Sequence, residues 1–240
     1  MEIVNQTVAF LADPASWSGP GGIPARLLEH VAISGASLLI ALAIALPIGV
    51  WIGHTGRWTT LAGNSANLWR ALPSLAVIAI VLPITAPLDP QAGFKIYPTL
   101  VAMVVLAVPP ILVNAYAGVS GVDRDVLEAG RGLGLSERQI LGRVELPLSV
   151  PVIATGIRSA AIQVVATATL GAIFGFGGLG RFLVDGMAQI SSGGIGQIFG
   201  GVILVASLVI VTELFFALIQ RRLTPRGLRP AGYPSLLTPN

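Results

Sequence analysis

Side chains able to do covalent or acid–base chemistry are few in this 240-residue chain. It has no Cys and only two His, His30 and His54. It therefore offers no thiolate nucleophile, no Cys-based zinc site and no histidine pair one helix turn apart for a metal. Lys95, the single Lys, lies outside any Gly-Lys-Ser/Thr sequence, which excludes a P-loop. Gly175 to Gly180 spells G-x-G-x-x-G, but a dinucleotide fingerprint follows a strand and has an acid about 20 residues on. Here the run follows an apolar, helix-length segment, and residues 198–201 read Ile-Phe-Gly-Gly. It reads instead as a tight loop at the outer membrane surface, with 181–188 as a short interfacial helix. No convergent set of titratable groups suggests a catalytic centre, so the expectation is a chain that is not an enzyme and holds no metal or cofactor. What remains are polar residues inside apolar stretches. Asn114, Gln163 and Thr167 line a solute path or make interhelical hydrogen bonds, worth about 0.6 kcal/mol each on average. Arg158 and Glu213 are candidates for an intramembrane ion pair, within the chain or to a second subunit, with independent snorkelling as the alternative.

The elements that position these residues follow from composition. The chain is 54% hydrophobic and 10% charged, with mean hydropathy +0.83, whereas soluble domains carry about 25% charge. That describes an all-α integral membrane protein, neither a soluble globule nor a disordered chain. Five long uncharged runs separate successive charges: Glu29 to Arg57, Arg70 to Asp89, Lys95 to Asp123, Arg158 to Arg181 and Asp185 to Glu213. A span needs about 20 apolar residues. The runs predict five transmembrane helices, near 30–53, 65–86, 97–118, 152–174 and 197–219. The second is the weakest, with Pro73, Pro83 and Arg70. A sixth, from Met1 to Ala12, is too short. Glu2, Asn5, Gln6 and Thr7 do not resemble a secretory signal, so insertion is expected through internal spans. Pro109-Pro110 should bend the third span.

Basic residues are distributed unevenly. Arg57, Arg124, Arg131, Arg138, Arg143, Arg221, Arg222, Arg226 and Arg229 fall on one side of the predicted membrane; Arg26, Lys95 and Arg181 fall on the other. The positive-inside bias puts the 119–150 loop and the C-terminus in the cytoplasm and the N-terminus outside. The net charge of +3 and pI near 10 then reflect cytoplasmic Arg, not a nucleic-acid partner. Trp51, Trp58 and Trp69 fall near the cytoplasmic ends of the first two spans, where interfacial Trp collects. Gly49-xxx-Gly53, Gly171-xxx-Gly175 and Gly196-xxx-Gly200 permit close helix approach, as general packing or as a dimer contact. With only five helices, a pore forms more easily on a dimer axis.

The loop 119–150 holds nine charged residues. Asp125 with Glu128, and Ser136 with Gln139, fit two helix starts. Gly132 and Gly134 suit a turn between them, and Pro147 and Pro151 should limit the second piece. Glu128 and Arg131 share a helix face. The picture is a capped helical hairpin, either a plain connector or a docking element.

Within that loop Glu128-Ala129-Gly130, three residues, Gly134, nine residues, then Val144-Glu145-Leu146-Pro147 resembles the EAA loop of ABC importer permeases. Gly130 stands for the pattern's second Ala and Val144 for its Ile. Arg70-Ala71-Leu72-Pro73-Ser74-Leu75-Ala76, Thr167-Ala168-Thr169-Leu170 and Gly175-Phe176-Gly177-Gly178-Leu179-Gly180 are similar to segments of glycine betaine, carnitine and choline importer permeases. The resemblance covers roughly 27–220.

It implies a type I ABC importer permease fold like that of methionine importers. The permease domain would be 30–219, the N-terminal segment 1–29 external and the tail 220–240 cytoplasmic, in a bacterial or archaeal cytoplasmic membrane. The resemblance further implies alternating access for an osmoprotectant such as glycine betaine, carnitine, choline or proline betaine. Expected partners are cytoplasmic ATPase subunits carrying ATP and Mg2+, a second permease chain, an external solute-binding protein and membrane lipid. Glu128, Ala129, Gly130, Gly134, Leu135, Ser136, Leu146 and Pro147 would form the ATPase-coupling loop. Rival readings are an importer for methionine or another amino acid, or a stand-alone secondary transporter.

Overall fold

Apolar runs in hydrocarbon have no water to satisfy their N–H and C=O groups, so each must close its own hydrogen bonds as helix. The computed structural model describes residues 1–58 and 73–225, and these are helical throughout, joined by turns, with no strand among them. Helix α1 (Glu2–Ala12) is followed by a 3-10 turn, Pro14–Trp17, capped by Asp13. Helix α2 (Ile23–Thr55) starts seven residues before the expected span and stops at Gly56 in the left-handed region, φ 67°. Then come α3 (Ser74–Thr85), the short α4 (Ala92–Lys95) and α5 (Tyr97–Ser120). The loop carries α6 (Arg124–Gly132) and α7 (Glu137–Ile140). Helices α8 (Leu146–Gly171), α9 (Gly180–Ala188) and α10 (Ile195–Leu223) complete the chain.

Four helical stretches are long and apolar enough to cross a membrane: Ile23–Thr55, Ala92–Ser120, Glu137–Phe174 and Ile195–Leu223. They match the first, third, fourth and fifth expected spans. The second appears as α3, whose 12 residues cover about 18 Å against about 30 Å of hydrocarbon. Its expected start at 65–72, with Trp69, Arg70, Ala71 and Leu72, lies outside the described residues, as do Arg226, Arg229 and the rest of the tail.

The prolines do not end the second loop helix. Helix α7 passes through a π turn, Leu141–Glu145, directly into α8. Pro147 follows closely on the π turn, and Pro151 is carried one turn further inside the same continuous helix. Around Pro151, Gln220 Nε2 donates to its carbonyl at 3.0 Å and the Thr155 hydroxyl does so at 2.9 Å. Helix α5 likewise runs unbroken through Pro109-Pro110.

Small residues set the helix contacts. A Cβ on Gly49 would lie 2.6 Å from Ala115 Cβ and one on Gly53 2.7 Å from Val119 Cβ, so α2 and α5 run parallel with backbones touching. Gly156 faces Asn114 and the Pro110 carbonyl, while Gly171 faces Thr99, so α8 runs antiparallel to α5. Between these three helices lie Ala41, Ala45, Met103, Ala107, Ile111, Ala160, Val164 and Ala168, all buried. Gly196 and Gly200 of α10 are covered by the Gln6 backbone and the Phe10 ring of α1. All three glycine pairs therefore make contacts within this chain. Helix α1, too short to span, lies along the start of α10, with Phe10 edge-on to Phe182 at 5.5 Å.

Gly156→Ala should place its methyl about 2.5 Å from Asn114 Cβ and 2.6 Å from the Pro110 carbonyl. Such overpacking costs roughly 1–3 kcal/mol. The expected outcome is a lower Tm in detergent, whereas Gly35→Ala, with open space at its Cβ, does not lower Tm.

Candidate functional site

Helix directions bring the ends of α2, α5 and α10 and the start of α8 to one end of the bundle. Arg57, the loop 121–145 and Arg221 and Arg222 therefore share that end. Arg26, Lys95 and Arg181 share the other, where Glu29 pairs with Arg26 at 2.9 Å.

The loop is built from local signals. Asp123, with extended backbone, caps α6 by accepting the Asp125 N–H at 2.9 Å. The sequence pattern points to a cap at Asp125, but that residue is already in the first helical turn and its N–H is the one that Asp123 caps. Helix α6 closes with the Gly134 N–H on the Arg131 carbonyl at 2.9 Å and the Leu135 N–H on the Gly130 carbonyl at 3.2 Å. Gly134 sits at φ 82°, a left-handed conformation that costs other L-residues about 1–2 kcal/mol. The chain turns there into α7, whose Ser136–Gln139 capping box forms as expected. Gln139 Oε1 accepts the Ser136 N–H at 2.9 Å and its hydroxyl at 3.2 Å.

This turn also redirects Arg131. Its partner is Glu137, held through Nε at 2.9 Å and Nη2 at 3.2 Å, and not Glu128 on its own helix. The hydrogen bonding and charge of Glu137 raise the Arg131 guanidinium further above its already high range. Beneath the pair, Gly130 and Ile140 are buried and in contact across the hairpin. Glu128, Ala129, Gly134, Ser136 and Pro147 are exposed or half-buried, as are Leu135 and Leu146. Leu133, which no sequence signal singles out, is 84% exposed at the hairpin tip.

A second feature escapes the sequence. His54, in the last turn of α2, donates from Nδ1 to Oε2 of Glu145 at 2.5 Å, 91 positions away. The Glu145 side chain is only 4% exposed. Both residues are visible singly, but nothing local links them.

Among the charges inside spans, Arg158 on α8 contacts Glu213 on α10 within the same chain. Arg158 Nη1 also donates to Gln220 Oε1 at 3.4 Å, and Gln220 Nε2 donates to the Thr155 hydroxyl at 2.9 Å. The second carboxylate oxygen of Glu213 is buried without a protein hydrogen bond. Asn114 turns to its own helix, donating to the Pro110 carbonyl at 2.8 Å. Gln163 is half-buried and Thr167 buried, one turn apart on α8. The Gly156 contact places Asn114 about two turns from Gln163, so these three residues do not form one cluster.

At the opposite end, the glycine loop is tied to α2. The Gly178 N–H donates to Glu29 Oε2 at 2.7 Å and the Leu179 N–H to His30 Nδ1 at 3.2 Å. His30 Nε2 donates to the Val165 carbonyl at 2.9 Å, which fixes a neutral tautomer between two backbone partners. Gly175 and Gly178 have φ 86° and 74°, and α9 follows at 180–188. No group of three or more His, Asp or Glu fit for a metal occurs among the described residues.

Residues 45–225 match the family described as binding-protein-dependent transport system inner membrane component. The chain is 34% identical over 203 residues to the carnitine transport permease protein OpuCB of Listeria monocytogenes, covering 85% of this chain and 88% of that one. It is 31% identical over 226 residues to a glycine betaine/carnitine/choline transport system permease protein of Bacillus subtilis, covering 94% and 97%. In fold it is similar to a chain of the MetNI methionine ABC transporter solved in an inward-facing conformation, with TM-score 0.72 and 21% identity, covering 89% of this chain and all of that one.

Two outcomes test the geometry. A Cβ at Gly130 would meet Leu135 and Ile140 at ordinary contact, 3.5–3.6 Å. Gly130→Ala should thus stabilise α6 by up to about 1 kcal/mol and slow amide exchange in 124–132, while Gly134→Ala speeds it. Separately, Arg158→Met and Glu213→Leu should each lower Tm in detergent by stranding a partner. These side chains are a third exposed, so the cost is about 1–3 kcal/mol. The double apolar variant should melt above either single one.

Proposed function

The chain belongs to the family of binding-protein-dependent transport system inner membrane components, and on that premise we propose that it carries an osmoprotectant of the betaine, carnitine or choline type across the membrane. As a permease subunit of an ABC importer it performs no chemistry of its own. The substrate reading is supported by relatives named for carnitine, glycine betaine and choline transport at 31–34% identity over most of both chains. The likeness to the methionine transporter speaks for the fold alone.

In this reading a second permease chain completes the solute path, and an external binding protein delivers the solute at the end that carries Glu29 and the glycine loop. The other end lies in the cytoplasm, with the N-terminal segment outside, as the clustering of Arg residues favours. ATP and Mg2+ are held by partner ATPase subunits that dock on the 119–150 hairpin. The observation that carries this reading is the hairpin itself: two capped helices braced by Arg131–Glu137, presenting Leu133 bare at the tip. An exposed apolar residue on a rigid polar frame is suited to a pocket in a partner. Asn114, Gln163 and Thr167 border the path, and the Arg158–Glu213 contact fixes α8 against α10.

Co-expression with candidate ATPase subunits tests the reading. The native chain should retain an ATPase in mild detergent and, in proteoliposomes with its binding protein, import labelled glycine betaine or choline only with ATP inside. Leu133→Asp should lose the ATPase at least about tenfold, the scale of a truncated interface anchor, with unchanged Tm. Failure of every ATPase to bind the native chain overturns the docking role of the hairpin. Import driven by an ion gradient alone overturns the importer mechanism in this setting.

A further inference from the structure

We propose that His54 and Glu145 are a positioning pair that makes α2 move with the coupling hairpin, so that ATPase motion reaches the first span as well as the helices flanking the loop. The inference rests on the reading of 119–150 as the ATPase-coupling loop.

The hairpin is covalently continuous with α5 at one side and with α8 at the other. Helix α2 has no such connection, since residues 56–73 separate it from α3 and the loop is more than 60 positions further on. Among the described residues, its side-chain link to the hairpin is the 2.5 Å contact from His54 Nδ1 to Glu145 Oε2. That link is built, not incidental. Glu145 is 3% exposed, and a carboxylate so removed from water needs a hydrogen-bonded partner. His54 follows Gly53, whose missing side chain seats the end of α2 on Tyr116 and Val119 of α5. Ser149 and Val152 of α8 lie against Gly118 of the same helix. The pair therefore sits where α2, α5 and the start of α8 meet.

Glu145 is also the last residue of the π turn, Leu141–Glu145. A π turn carries one more residue per hydrogen-bonded ring than an α turn, and shifting it changes the register of the helix beyond it. A carboxylate at its end, anchored on another helix, makes such a shift felt by that helix. This is the physical form coupling requires: a discrete local rearrangement that both sides contact. Cutting the pair should therefore break transmission without removing the docking surface, which lies on the far side of the hairpin at Leu133.

The test uses the full complex in proteoliposomes, with labelled glycine betaine as probe, and reads solute imported per ATP hydrolysed. His54→Ala and Glu145→Ala should each lower that ratio about five- to tenfold, the range of ordinary coupling energies. Both should keep the co-purified ATPase and show raised ATP hydrolysis without loaded binding protein. The double variant should be no worse than either single one, and His54→Gln, which can still donate to the carboxylate, should recover most of the ratio. An unchanged ratio in both alanine variants overturns the proposal, as does a double variant whose loss is the product of the singles. Loss of the ATPase from folded variants also overturns it, because the pair would then shape docking and not transmission. If alanine is not tolerated, His54→Phe and Glu145→Met, which fill the space without the hydrogen bond, are compared: unaltered ratios in both overturn it. Failure of the native chain to hold any ATPase falls on the coupling-loop reading instead.

Discussion

Apolar helices in a bilayer gain little by hiding side chains from one another, because lipid tails are as apolar as leucine. What holds them is the dispersion energy of close contact. That energy depends on how near two backbones can come, and in this chain the distance is set by glycine. Gly49 and Gly53 let α2 rest on the backbone of α5, and Gly156 and Gly171 do the same for α8. Alanines and a few branched residues fill the remaining space. The rest of the architecture follows from this three-helix contact. It decides that α2 and α5 run parallel, that α8 returns antiparallel along α5, and that His54 ends beside Glu145. It also aims Arg158 at α10, whose apolar window is unburied within this chain.

The polar groups inside that find a partner do so in two ways, while the buried hydroxyls of Ser34 and Ser37 make no protein hydrogen bond. Most hydroxyls and Asn114 bond back to a carbonyl of their own helix or the turn before it, as Thr7, Thr85, Thr99 and Thr212 do. A few reach across. His30 bridges Val165 and Leu179, Glu29 takes the Gly178 N–H, and Gln220 takes the carbonyl at Pro151. The first kind is neutral to the fold. The second kind pins segments that small-residue packing alone would leave free to slide. It lies toward the two ends of the bundle, where loops must be held in place.

Much of this is legible in the sequence, and the pattern of what is legible is physical. Uncharged runs mark four long helices because span length is a local property of the chain. The capping box at Ser136 and the turn at Gly134 are readable for the same reason, as is the spacing from Glu128 to Pro147. Errors arise where a distant or competing partner decides. Pro147 and Pro151 look like stops, but the helix passes through both by way of the π turn ahead of them, and Gln220 reaches in from α10 to the Pro151 carbonyl. Arg131 looks paired with Glu128, but the turn delivers Glu137. The His54–Glu145 contact and the seat of α1 on α10 depend on helices meeting in space, which no window along the chain records.

The hairpin is continuous with one long helical rod and braced against it. Helix α7 has four residues, far fewer than an isolated helix needs to persist in water. It persists because it is capped at Ser136, braced by Glu137 on Arg131, and continuous through the π turn with α8. From Glu137 to Phe174 the chain is thus one helical rod of 38 residues. Helix α6 is held to that rod across the Gly134 turn by the Arg131–Glu137 pair and by Ile140 packed on Gly130. The two helices of the hairpin are thus fixed to each other as well as to the rod. Glu145 lies on the rod itself, so its contact with His54 ties α2 to the same braced body.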